Sequence, residues 1–181
     1  YYQRDYEAAL RQAAVARRAA PWLYEASKLA GDVHLERALQ AKDHGRYEEA
    51  EREFARAVQS YEDAAAAGQS DGEIYEGLAE AWIRQVEMAV DRGRSIGAAY
   101  ASAVAAADKI ILVDPQNIEG PLKKAFASER TMRVTGTGQD SASRAQECVA
   151  LAEQVLKKHP SHPYASEMAA NCSGMLANVV R

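Results

Sequence analysis

Four histidines, two cysteines and one glycine–threonine run are the places where this sequence of 181 residues could do chemistry. His159-Pro160-Ser161-His162 brings two imidazoles close together, the start of a metal site. A metal needs three or four ligands, and no cysteine or nearby carboxylate completes the set. His34 falls in the middle of a helical stretch and His44 in a turn before Gly45, positions that suit packing and surface roles. Cys148 and Cys172 match neither a disulfide framework nor a zinc spacing. They read as two small buried apolar residues of a reducing compartment. Thr135-Gly136-Thr137-Gly138 has the glycines of a phosphate loop. It lacks the terminal Gly-Lys-Ser/Thr and follows a helix, not a strand, so it reads as an inter-helix turn. No nucleophile elbow and no kinase catalytic loop occurs. The sequence therefore points away from catalysis, and no cofactor is expected.

Charge is the other resource for recognition. Glu73, Glu76, Glu80 and Glu87 recur at helical steps with Arg84 among them, and the next such helix offers Lys123, Lys124, Arg130 and Arg133. Glu73, Glu76, Glu80 and Arg84 on one helix, with Lys123, Arg130 and Arg133 on the other, are the candidates for binding a partner by complementary charge. Reversing Glu76 and Glu80 to lysine is then expected to weaken partner capture. Glu48, Glu49, Glu51 and Glu53 read as a solvated helix face.

The elements that would position these residues are helices. Alanine makes up about a fifth of the chain, five prolines and 11 glycines leave long uninterrupted runs, and β-branched residues seldom cluster. The net charge of −4 argues against a general nucleic-acid binder. No apolar run is long enough to span a membrane and no signal peptide is present, so a cytoplasmic location is expected. The chain begins Tyr-Tyr-Gln-Arg without Met, as a piece of a longer protein would.

A spacing recurs. Ala9, Ala13 and Ala16 are followed by Pro21; Ala103, Ala107 and Ile110 by Pro115; Cys148, Ala152 and Val155 by Pro160. In each set the proline lies twelve residues after the first small residue. Gly45-x-Tyr47-x-x-Ala50-x-x-x-Phe54-x-x-Ala57 is a further copy, and Leu78-Ala79-x-x-Trp82 fits a preceding helix. Small residues at steps of four and three share one helix face and let a partner helix come close.

These segments resemble the tetratricopeptide repeat, whose paired antiparallel helices carry such residues and end at a proline. The resemblance implies an all-α fold of about eight helices, a right-handed superhelix of antiparallel pairs. It also implies that the first helix of each pair lines a groove. Glu73, Glu76, Glu80 and Arg84 would then form an acidic wall, and Lys123, Arg130 and Arg133 a basic one, around an extended or helical peptide. Periods of 41, 53 and 45 between anchors make the fold an irregular solenoid. The boundaries expected are a single solenoid over 1–181. It comprises the second helix of a truncated repeat (1–21), repeats at 22–69, 70–116 and 117–160, and a capping helix at 161–181. Helices are expected near 5–20, 22–43, 47–67, 72–92, 95–113, 117–134, 141–158 and 162–179. Asp71, Ser95, Asp140 or Ser141, and Ser161 are the expected N-caps; Gly45, Gly68 and Gly93 suit left-handed C-terminal positions. One subset of the family grips a terminal carboxylate with Lys and Asn. Leu35, Leu39, Glu76 and Glu80 occupy comparable positions here, so that mode is not expected.

The segment from Ala20-Pro21-Trp22-Leu23 to Gly31-Asp32-Val33-His34 further resembles the TPR-like regions that follow the catalytic domain of large bacterial serine/threonine protein kinases. That resemblance implies a regulatory or partner-recruiting region whose ligand is a protein or peptide, with any kinase active site outside it. The alternative is a scaffold that self-associates into a homo-oligomer through an apolar stripe of Tyr6, Leu10 and Ala13.

Overall fold

The structure is a computed structural model that describes residues 5–132 and 139–179. Among the described residues there are eight α-helices and no strand. They are α1 (Tyr6–Ala19), α2 (Tyr24–Asp43), α3 (Tyr47–Ala67), α4 (Gly72–Asp91), α5 (Gly97–Val113), α6 (Glu119–Met132), α7 (Gln139–Lys158) and α8 (Pro163–Val179). No helix among them is long and apolar enough to cross a membrane. The chain divides into two compact units, one up to Ala81 and one from Trp82, with the division inside α4.

In the first unit α1 packs on α2 and α2 on α3. The small anchors explain how. Ala50, Phe54 and Ala57 of α3 are wholly buried, and Tyr61, one further turn along, is 1 % exposed. Its ring lies against two glycines, Gly31 of α2 and Gly77 of α4: a Cβ on Gly31 would sit 2.7 Å from Cε1, and one on Gly77 would clash with Cζ, Cε1 and, at 2.7 Å, Oη. Tyr61 Oη donates to Asp32 at 2.7 Å. Ala13 is 3 % exposed, with Tyr6 and Leu10 half-buried beside it. Of the stripe expected to mediate self-association, Ala13 is thus taken up within the chain, and Tyr6 and Leu10 are covered in part.

In the second unit α5 packs on α6, α6 on α7 and α7 on α8, and α6 also meets α8 directly. Ala103, Ala107 and Ile110 of α5, and Cys148, Ala152 and Val155 of α7, are the buried anchors, each at most 1 % exposed. Gly120 lets α6 approach α5, since a Cβ there would meet Ile111 and, at 3.1 Å, the carbonyl of Ala107. Cys148 and Cys172 form a disulfide that joins α7 to α8 inside a cluster with Ala125, Met132, Ala145, Ala152 and Met168. This overturns the reading of two unbonded thiols, and with it one support for a reducing compartment. Their separation of 24 residues places them on neighbouring antiparallel helices, a pairing that sequence spacing does not announce.

The helix ends follow the expectations in part. Gly45 and Gly93 adopt φ of 71° and 62°, as a left-handed closing residue does. Gly68 has φ −99° and is required for space, because a Cβ would press within 2.6 Å of the Tyr24 ring. Asp71 Oδ1 accepts the Glu73 amide at 3.0 Å, as expected. Ser95 does not cap: the N-cap of α5 is Ile96, which makes no side-chain bond. Ser161 is displaced by His162, whose Nδ1 accepts the Ala165 amide at 3.3 Å. Ser141 lies within α7 and is buried, not capping, and Asp140 also falls inside that helix. Asp5, unforeseen, accepts the Ala8 amide at 2.8 Å and caps α1. The Thr135–Gly138 run lies outside the described residues.

Candidate functional site

Several of the charged residues expected to form two walls are paired within the chain. In the first unit, Lys28 of α2 donates to Glu73 of α4. That bond holds the Lys28 ammonium above its usual range and the Glu73 carboxyl below its own. Glu80 contributes, after burial and Asp32, to the field that pushes the Tyr61 phenol upward, so that ring stays neutral. Glu76 is half-buried on the same helix. Glu53, expected on a solvated face, is 3 % exposed. It receives His34 Nδ1 at 2.7 Å, Arg56 at 2.7 Å and Arg37 at 3.6 Å, an ion network that satisfies both its oxygens.

In the second unit the basic residues turn inward. Arg84 reaches both oxygens of Glu87 at 3.0 Å, and Arg130 reaches Glu87 from α6 at 2.9 Å. Arg130 also pairs with Glu129 at 3.2 Å, and its guanidinium lies 5.1 Å above the Phe126 ring. Lys124 bridges Asp108 of α5 and Glu147 of α7 at 3.2 and 3.5 Å. Lys123 is half-buried, and Arg133 lies outside the described residues. Arg84 and Arg130 therefore meet as parts of one buried salt-bridge cluster centred on Glu87, whereas Glu73, Glu76 and Glu80 belong to the first unit.

Where α6 meets α8 a cleft of about 200 Å³ opens, lined by Phe126, Glu129, Arg130, Tyr164, Glu167, Met168 and Asn171. The α8 residues stand at i, i+3, i+4 and i+7, one helical face. Met168 is buried and forms the floor with Phe126, while Tyr164 is 62 % exposed. His162, the N-cap, sets its ring 6.3 Å from that of Tyr164 at the mouth. An apolar floor, an exposed aromatic rim and a few polar groups are what a protein-recognition pocket needs. Sequence reasoning found Arg130 but missed the α8 side, because it treated that helix only as a cap. The signal was present in Tyr164-x-x-Glu167-Met168-x-x-Asn171.

A second, larger cleft of about 660 Å³ lies along α1, α2 and the start of α3, bordered by Glu7, Arg37, Gln40, Arg46 and Glu49. Its polar groups are occupied with one another: Arg37 with Glu7 at 2.8 Å, Arg46 with Glu49 at 3.1 Å, Gln40 with Tyr6 at 3.1 Å. Among the described residues no group of three or more His, Cys, Asp and Glu could hold a metal ion. No protein-family model matches the sequence, and no curated protein matches it significantly.

Proposed function

We propose that this chain is a non-catalytic protein-interaction module, built as an irregular TPR-like solenoid of right-handed sense, whose recognition surface includes the α6–α8 cleft. The parent is a larger bacterial signalling protein such as a serine/threonine kinase, and this region recruits its partner or regulates it. The cleft carries the reading: it lies between the helices that would be the first members of successive pairs, and it leaves a tyrosine ring open above a methionine and phenylalanine floor. The resemblance of the Ala20–His34 segment supports the kinase setting. Cytoplasmic placement is part of the same proposal.

A peptide array probed with the whole chain tests the module. Binding to retained peptides should fall with Tyr164→Ala and persist with Leu112→Ala, a control at a residue that is 70 % exposed on α5. Peptides held equally well by the Tyr164 variant would sink the assignment of this face.

A further inference from the structure

The α6–α8 cleft has a charge preference. Glu167 is the single charged residue of α8, on an exposed face, and it lines the cleft beside the open Tyr164 ring and the Asn171 amide. The charged residues that line the cleft are two carboxylates, Glu129 and Glu167, and one guanidinium, Arg130, a lining that is negative by one charge. Arg130 lies against Glu129, Glu87 and the Phe126 face, whereas Glu167 stands exposed. A volume near 200 Å³ is below that of a cofactor pocket and suits one side chain.

The geometry points to the occupant: the α6–α8 cleft takes a cationic side chain, lysine or arginine, from a basic segment of a partner protein. Its charge meets Glu167, its head lies over the Tyr164 ring, and its methylene stem runs over Met168. The same pairing of a cation with an aromatic face and carboxylates is already made inside the chain by Arg130. Cation–π attraction and a charge-assisted hydrogen bond act together at such a site. This rests on the interaction-module reading and names the partner's chemistry.

The test is a titration of the ¹⁵N-labelled whole chain, followed by amide shifts, with three capped tripeptides (Gly-Arg-Gly, Gly-Lys-Gly and Gly-Glu-Gly) and with spermidine. The arginine and lysine peptides should move amides of α6 near Phe126–Arg130 and of α8 between Tyr164 and Asn171. Glu167→Gln should weaken their Kd about tenfold, and Tyr164→Ala about threefold, given the magnitudes of these two contacts. Both substitutions are at exposed positions, and the amide spectrum itself reports that the fold is kept. Equal shifts from the glutamate peptide, stronger binding of spermidine than of either cationic peptide, or a Kd unchanged by Glu167→Gln would overturn the cation assignment. In the first of these the cleft would still bind peptide, so the module reading would stand. If no tripeptide moves these amides and no peptide of the array depends on Tyr164, both fall.

Discussion

Gly31→Ala separates two effects of opposite sign. Gly31 is buried in the interior of α2, where glycine is a poor helix former and alanine would gain about 1 kcal/mol in propensity. Against this, the new Cβ would stand 2.7, 2.8 and 3.0 Å from Cε1, Cδ1 and Cγ of Tyr61, where ordinary contact begins near 3.4 Å. The ring is 1 % exposed, tied to Asp32, and pressed also against Gly77, so it cannot swing clear. Overpacking of this kind costs roughly 2–3 kcal/mol. The net effect is a loss of about 1–2 kcal/mol, a melting temperature lower by roughly 3–6 °C for a chain of this size. Circular dichroism melts and urea unfolding measure it. A second arm removes the ring: in a Tyr61→Leu background the same substitution should stabilise, by up to about 1 kcal/mol. Stabilisation by Gly31→Ala in the otherwise unaltered chain would refute the argument, since propensity would then outweigh contact.

Replacing both Cys148 and Cys172 with alanine should cost about 3 kcal/mol, the chain-entropy term for a loop of this length. Dithiothreitol should lower the melting temperature of the parent chain and leave the double variant unmoved; an equal response of the two would remove the bond from the account. Tyr61 gives a pH signature. Burial first, and Asp32 second, raise its phenol above the ordinary 10.0, so the folded chain keeps a proton the unfolded chain gives up. Its share of stability is whole below pH about 10 and declines as pH rises beyond it. Tyr61→Phe should then leave the 295 nm absorbance of the folded protein unchanged to about pH 11, yet lower the increment released on unfolding there by one tyrosine. A drop in the folded-state signal would show that the ring ionises in place.

The helices were legible because their evidence is local. Small residues at steps of four and three mark α1, α3, α5 and α7, and turn glycines such as Gly45 and Gly93 need only their own backbone. What escaped depends on residues far apart in the chain. Glu53 looks like its neighbours Glu49 and Glu51 until His34, Arg37 and Arg56 converge on it. Arg130 reads as a free cation until α4 brings Glu87 against it. The caps at Ser95 and Ser161 failed by one residue of register. At α5 the N-cap falls on Ile96 in place of Ser95 and no side chain reaches the amides, and at α8 it falls one past Ser161, on His162. The α8 wall of the cleft was spelled out in its own sequence, but its meaning required knowing that α6 lies opposite.

The bond between Cys148 and Cys172 also has a mechanical side. Tension on a helical array peels helices from an end, each release lengthening the chain by its full contour. Here the loop closed by the two sulfurs, a sequence separation of 24, is shunted out of the load path, so about 80 Å of contour cannot be drawn out while the bond is intact. Force arriving from the α8 side would pass through the disulfide into α7 and bypass the turn between them. The α8 wall of the cleft, from Tyr164 to Asn171, lies inside that closed loop and would stay tied to α7 under such a pull.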